Sequence, residues 1–279
     1  MSDLFEDFIK RFKIFIEKNP SLITTTLSNI FTMRLVGNKT HGDLAEIAMS
    51  EFVNQYMYDF RSTHTGKDLY RAKSQEEDIR IIREIDNMEF PISLKAYGTG
   101  PLQLSTDKSF LMFPRLEKED DVISNKSTID DILSDSAFSD FGEINVLPLI
   151  YDEHKQRCQI MIFDYVRARQ EVANISRVNP GKGGRKHPMY QFSDKSGNYI
   201  CEVRYGGPDA NALQRGLWTH TEKGAKYFES ITNGWVGYSH NTILVKLFSH
   251  ALVSSQSGHS SALQEIKKDI ERLREEENI

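Results

Sequence analysis

Cysteine is scarce in this sequence, since 279 residues contain only Cys158 and Cys201. Two cysteines build no disulfide framework, and these two do not have zinc-ligand spacing. No apolar run is long enough to span a membrane, and Met1-Ser2-Asp3-Leu4 does not resemble a signal peptide. The glycine-rich stretch 181–184 lacks the P-loop spacing, so we assign no nucleotide site to it. These absences exclude disulfide-stapled secreted domains and zinc modules, and we expect a protein of the reducing cytoplasm.

Positive charge is also in short supply. Lys and Arg number 35 against 40 Asp and Glu, and the formal net charge is −5. This balance excludes a uniformly basic surface that coats nucleic acid, but it permits a basic cleft within an acidic exterior. Hydrophobic residues make up 39% of the chain, which predicts a real core and excludes a disordered tail. The length suits one large domain or two small ones, and we treat residues 1–279 as one domain.

Two stretches that alternate apolar and polar residues predict a β-hairpin over 76–82 and 90–97. Asp86-Asn87 lies between them and predicts the turn. A hairpin centred there pairs residues whose numbers sum to about 173, so that Asp78 faces Lys95. Ser93 and Lys95 are two residues apart and therefore share one face of their strand. The pattern thus brings a carboxylate, a hydroxyl and an ammonium group together at one end of a sheet.

This group of side chains has two interpretations. A carboxylate beside a lysine can hold Mg²⁺ through oxygen ligands while the ammonium group orients or deprotonates an attacking water. Alternatively, the two charges form a surface ion pair on an ordinary amphipathic hairpin, since Asp and Ser-x-Lys occur at this separation by chance.

The spacing resembles the PD-(D/E)XK nuclease superfamily, in which an Asp opens one strand and (Asp/Glu)-x-Lys lies on the next. The match here is Asp78 followed by Ser93-Leu94-Lys95. The longer run through Gly98, with Gly100 to Thr106, also resembles type II restriction endonucleases. The resemblance covers residues 40–110. It implies Mg²⁺-dependent, site-specific cleavage of double-stranded DNA at a short palindromic site by a homodimer.

The match departs from the family at Ser93, which stands where the family has its second acid. Some restriction enzymes of the superfamily have the same Ser-x-Lys and take the missing carboxylate from elsewhere in the fold. A helix before the Asp strand often supplies it, and a helix predicted over 41–58 carries Glu46 as the first candidate and Glu51 as the second. Asp107, downstream of the lysine, is the alternative. Both glutamates are otherwise interpreted as solvated residues at the border of the apolar arc.

The resemblance also implies a role for each catalytic residue. Asp78 is the principal metal ligand, and Glu46 or Asp107 completes the ligand set. Lys95 positions or activates water and stabilises the charge that develops on phosphate, while Ser93 holds water near the metal.

Candidate DNA contacts lie further along the chain, over 170–216. Positive charge and glycine concentrate between 174 and 198, which predicts a loop that binds phosphates or, alternatively, a solvated surface loop. The residues that follow include side chains able to make bidentate contacts with base edges. The predicted DNA-binding residues are Arg177, Lys182, Arg185, Lys186, Arg204, Gln214 and Arg215. The histidines at 220, 240, 250 and 259 lack metal-ligand spacing, and we predict no catalytic histidine among them.

The order of predicted elements indicates an α/β fold with a central mixed β-sheet flanked by helices. The resemblance adds a restriction-endonuclease-like core. Residues 143–151 and 159–166 predict a second hairpin that extends the sheet, and 61–73 predicts an exposed loop. A C-terminal helix over 260–279 carries an apolar seam for docking or dimerisation. Two other functions fit these patterns: a repair or structure-specific nuclease, and a non-catalytic DNA-binding protein with a degenerate nuclease fold.

Overall fold

The structure is a computed structural model that describes residues 3–36, 41–64, 78–105, 112–142, 145–181, 187–204, 216–247 and 259–276. Its helices are α1 (Asp3–Lys18), α2 (Pro20–Val36), α3 (His41–Tyr56), α4 (Met112–Leu116), α5 (Lys126–Ser134), α6 (Ser136–Ser139), α7 (Tyr165–Glu171), α8 (242–247) and α9 (His259–Glu276). Its strands are β1 (Phe60–His64), β2 (Ile79–Arg83), β3 (Glu89–Tyr97), β4 (Leu102–Ser105), β5 (Val122–Ile123), β6 (Val146–Asp152), β7 (Arg157–Phe163), β8 (Asn174–Val178), β9 (Met189–Ser193), β10 (Tyr199–Arg204), β11 (Gly216–Thr219), β12 (Phe228–Ser230) and β13 (Val236–Gly237). No helix within these ranges is long and apolar enough to cross a membrane.

The first sheet has seven strands and a mixed topology. Its order is β1-β2-β3-β6-β7-β12, with β13 also paired to β7. β3 and β6 run parallel, and the other neighbours run antiparallel. A mixed sheet flanked by helices confirms the coarse fold prediction, and β6 with β7 is the predicted second hairpin that extends the sheet.

The alternation of apolar and polar residues within β2 and β3 decides which face of the first sheet is covered by α1, α2 and α3. Ile79, Ile81, Ile92 and Leu94 are buried in one core with the apolar residues of these helices. Phe8 of α1 closes this core, because its ring lies 5.6 Å from that of Phe90 and 5.3 Å from that of Phe60. The intervening residues of β3 therefore point to the opposite face, and Ser93 and Lys95 are among them.

A second sheet, which the sequence did not predict, lies beyond the first. Its six strands have the order β4-β11-β10-β9-β8-β5 and are all antiparallel. A second core combines its inner face with α4 to α7 and with apolar residues of β6, β7 and β12. β4 follows β3 after a short turn over 98–101, so the second sheet begins close in the chain to Lys95.

Two local predictions need correction. The paired residues of β2 and β3 sum to 171, as in Ile79 with Ile92, and not to about 173, so Asp78 comes opposite Ser93. Residues 61–64 of the predicted loop belong to the edge strand β1, because each pairs with a residue of β2. The rest of the predicted loop, 65–73, lies outside the described residues.

Candidate active site

Asp78 lies immediately before β2, at the end of the hairpin remote from its turn. Its N–H donates to the Ile92 carbonyl at 3.1 Å, which continues the ladder by one residue. Its Oδ2 accepts from the Ser93 hydroxyl at 3.1 Å and from the Leu94 N–H at 2.8 Å. Two donors from β3 thus hold the carboxylate in one orientation.

Lys95 completes the predicted group of three side chains. Its Nζ lies 3.9 Å from Asp78 Oδ2, and the two side chains are 25% and 19% exposed. The structure therefore brings Asp78, Ser93 and Lys95 together as predicted, although the register differs. This degree of exposure lets a ligand reach the charges while much of the surrounding solvent is excluded, which strengthens electrostatic interactions.

Ser93 is held from both sides. Its residue is 1% exposed, and its N–H donates to the Asn145 carbonyl at 2.8 Å, where the chain enters β6. The Asn145 side chain also donates to the Pro91 carbonyl at 2.9 Å. The parallel pairing of β3 with β6 therefore fixes the strand that carries both Ser93 and Lys95.

Glu46 is buried, with 6% of the residue exposed, whereas Glu51 is exposed. The position of Glu46 along the strand direction follows from contacts that α3 makes one turn later. There the hydroxyls of Ser50 and Ser62 are 2.7 Å apart, and Asn54 bonds both the N–H and the carbonyl of Ser62.

One helical turn of four residues advances about 6 Å, close to the advance of two strand residues. Since α3 and β1 run in opposite directions, Glu46 lies level with His64, which pairs with Ile79. Asp78 is the next residue in the chain. Glu46 therefore lies level with the Asp78 end of the sheet, although α3 packs on the face opposite to the one that carries Ser93 and Lys95. Its burial at this end distinguishes it from the exposed Glu51 as a candidate for the additional acid.

The side chains available as ligands limit which metal ion the site could hold. Among the described residues no group of three or more His, Cys, Asp or Glu side chains forms a metal cluster. Mg²⁺ is usually held by one or two carboxylates and retains several waters, so Asp78 with one further acid is a compatible set. Asp107, the alternative second acid, lies outside the described residues.

The second sheet contacts the candidate site through Tyr97. This residue is two positions after Lys95, and its hydroxyl lies 2.8 Å from that of Thr221, just past β11. Burial raises the pKa of Tyr97 to about 12, an effect that the hydrogen bond to Thr221 partly opposes. Neither residue was predicted as functional, although Tyr97 belongs to the run 93–98 that carries the family resemblance.

The predicted DNA contacts have different surroundings. Arg177 lies on β8 and pairs with Asp121 at 3.3 Å. Arg204 lies at the end of β10 and pairs with the buried Glu202. The remaining predicted contacts, Lys182, Arg185, Lys186, Gln214 and Arg215, fall outside the described residues.

Comparison of the chain with protein-family models, with curated proteins and with solved structures finds no match. The candidate site therefore rests on its own geometry and on the resemblance of its residues.

Proposed function

We propose that the chain is a Mg²⁺-dependent, site-specific endonuclease that cleaves double-stranded DNA, of the type II restriction class with a restriction-endonuclease-like core. The observation that carries this proposal is the convergence of Asp78, Ser93 and Lys95 at the end of the first sheet. An oriented carboxylate beside a partly exposed ammonium group suits hydrolysis of a phosphodiester. An ion pair on an amphipathic hairpin would not by itself need the additional hydrogen bonds that orient Asp78.

Each residue has a role in this proposal. Asp78 and Glu46 would hold Mg²⁺, which supplies Lewis-acid stabilisation of the phosphate when bound. Lys95 orients the water that attacks phosphorus and stabilises the charge that grows on the phosphate oxygens as the bond to the leaving oxygen breaks. Ser93 keeps the Asp78 carboxylate in place and holds water beside it.

The proposed DNA-binding surface has two parts. Arg177 with Lys182, Arg185 and Lys186 would contact phosphates, and Arg204 with Gln214 and Arg215 would contact bases. A homodimer would match the twofold symmetry of a short palindromic site and deliver one active centre to each strand.

One observation favours a second function. Ser93 occupies the position of an acid and is almost fully buried, which also fits a non-catalytic DNA-binding protein with a degenerate active centre. Such a protein would bind DNA in the presence of a chelator and release no cut products.

Digestion of a mixed-sequence plasmid with Mg²⁺ tests the proposal. Discrete bands that disappear with EDTA are expected. A smear would indicate a nuclease without a fixed site, such as a repair enzyme, and DNA that is bound but intact would support the non-catalytic protein.

A further inference from the structure

The outer face of the second sheet carries a continuous row of polar and aromatic side chains. The strand pairing places Trp218 opposite Gln103 and Glu202, and it places Gln191 opposite Glu202 and Ser176. One row therefore crosses five strands. Neighbouring residues of β10 and β11, such as Val203 and Leu217, point the other way into the second core.

The length of this row matches a stretch of duplex. Four strand spacings of about 4.8 Å give about 19 Å, or about five to six base pairs at 3.4 Å each. Gln103, Gln191 and Trp218 are only partly buried, so their side chains reach the surface of the described structure. We name this set, with Glu202, Arg204 and His220, the outer row.

Arg204 is held rigidly beside the row. Its Nε donates to the buried Glu202 carboxylate, and its guanidinium lies 4.5 Å from the centre of the Trp218 ring. Its Nη2 lies 3.1 Å from Nε2 of His220. Burial lowers the pKa of His220, so at neutral pH the ring is uncharged and its Nε2 can accept from Arg204.

The charge of this cluster argues against a phosphate site. Glu202 is 2% exposed and its carboxylate balances the charge of Arg204, so the pair offers little net attraction to an anion. Base edges instead present both donors and acceptors. Arginine suits the two acceptors of guanine, glutamine suits adenine, and a carboxylate accepts from cytosine.

Trp218 adds an independent sign of a ligand. Its indole N–H is enclosed and has no acceptor within the described residues. Enclosed donors are normally satisfied, so an ordered water between this N–H and a base edge would complete the site.

The chain that follows the outer row is joined to the strand of the candidate active site. Thr221 follows His220 directly and contacts Tyr97, which lies on the same face of β3 as Lys95.

We infer that the outer row reads base edges of duplex DNA, with Arg204 contacting guanine and Gln103 and Gln191 contacting adjacent base pairs. This inference rests on the proposed function for its choice of ligand, and it adds Gln103, Gln191, Trp218 and His220 to the residues that determine specificity.

The test is selection from a randomised duplex library by the full chain in EDTA, so that binding is scored without cleavage. The wild type should enrich one motif. Arg204→Lys keeps the charge but loses the planar fork, and it should reduce the preference for one G·C pair by about 5- to 150-fold, the effect of one bidentate contact. Gln191→Ala should relax a neighbouring position, and both variants should bind non-cognate duplex at the wild-type level.

Arg11→Lys is the matched control, because Arg11 also pairs with carboxylates and lies over an aromatic ring, 5.8 Å from the centre of Phe60. It should enrich the wild-type motif. Enrichment of no motif by the wild type, or of an unchanged motif by both variants, would overturn the inference. An enriched motif without plasmid cleavage would refute the proposed nuclease activity but support base recognition by the outer row. Cleavage at a fixed site that neither variant alters would support the nuclease activity but refute base recognition by the outer row.

Discussion

At the scale of single residues, Ser93 is the main departure from the nuclease pattern that residues 78–95 resemble, and we propose a positioning role for it. Its hydroxyl donates to Asp78, and the residue is 1% exposed. A hydroxyl cannot add a negative charge, so a second acid must come from another element if two carboxylates are needed. The sequence identified the three clustered residues because period-two alternation places residues two apart on one face. It could not reveal the bond from Leu94 N–H to Asp78, which depends on the register.

Ser93→Ala tests this positioning role. Loss of a buried hydrogen bond to a carboxylate should lower the free energy of unfolding by about 1.5–3 kcal/mol. Cleavage should slow less than it does in Asp78→Asn, because the Leu94 N–H still orients the carboxylate. Urea denaturation and initial cleavage rates measure the two effects. A stability equal to that of the wild type would show that the bond has no energetic importance.

Glu46→Gln separates the candidate acids. We expect a large loss of cleavage rate and a higher Mg²⁺ requirement, because Glu46 lies toward the Asp78 end of the sheet and is buried. Glu51→Gln is the matched control on the same helix, where the exposed side chain predicts a near-wild-type Mg²⁺ titration. Asp107→Asn should also have a small effect. An inactive Asp107→Asn together with an active Glu46→Gln would move the second acid to the downstream position.

At the scale of elements, the hairpin was predictable but its register was not. The turn is closed by Arg83 N–H to Met88 carbonyl at 2.8 Å, and Asn87 has a φ of 55°. Asp86-Asn87 therefore forms the second half of the turn and not its centre, which shifts the pairing sum by two. Because the shift is an even number, every side chain keeps its predicted face. For that reason Asp78, Ser93 and Lys95 cluster as predicted, although the predicted register was wrong.

The second sheet was not predictable from local patterns, although several of its strands alternate clearly. β4 pairs with β11, more than a hundred positions later in the chain. Strand periodicity shows which residues share a face, but it does not identify a distant partner. The alternation of the charged Glu202 and Arg204 with the apolar Cys201 and Val203 was nevertheless visible in the sequence as a signal for a two-faced strand.

Tyr97→Phe tests the contact between the two sheets. The folded-state pKa of about 12 exceeds the ordinary value of 10, so the folded protein holds the phenol proton more tightly than the unfolded chain. The resulting stabilisation is fully present below pH 10 and is lost as the pH rises toward 12. Denaturation curves at a series of pH values measure this effect. In Tyr97→Phe the free energy of unfolding should fall across this window less steeply than in the wild type, by up to about 1.4 kcal/mol per pH unit.

At neutral pH the same variant should lose about 0.5–1.5 kcal/mol of unfolding free energy with its hydrogen bond to Thr221. Tyr58→Phe is the control, since Tyr58 is 89% exposed. If the unfolding free energy of Tyr97→Phe falls with alkaline pH as steeply as that of the wild type, the Tyr97 phenol is not the group responsible for the decline.

At the scale of the whole molecule, a net charge of −5 requires that attraction to DNA be local. The basic stretch around residues 177–195 is the candidate, and most of its cations lie outside the described residues. Its composition was evident from the sequence. Whether its side chains reach a phosphate depends on their distance from the Asp78 cluster, which sequence spacing does not give.

Replacement of Lys182, Arg185 and Lys186 by alanine tests this stretch. Each phosphate contact contributes about 0.9 to the slope of log affinity against log salt, so loss of all three should flatten the slope by about two to three units. Binding to all sequences should weaken similarly. The control is alanine at Lys10, Lys18 and Lys155, which removes the same charge elsewhere. Equal slopes in the two triple variants would mean that the stretch is only solvated.

The most direct test of the nuclease proposal compares plasmid cleavage by the wild type with that by Asp78→Asn and Lys95→Ala. Asp86→Asn is the matched control, because Asp86 is also ion-paired but lies at the other end of the hairpin. We expect discrete fragments from the wild type and from Asp86→Asn in Mg²⁺. Neither Asp78→Asn nor Lys95→Ala should release fragments, although both remain folded and bind DNA. Cleavage by either variant at more than about a tenth of the wild-type rate, a barrier change of less than about 1.4 kcal/mol, would contradict its place in the active centre.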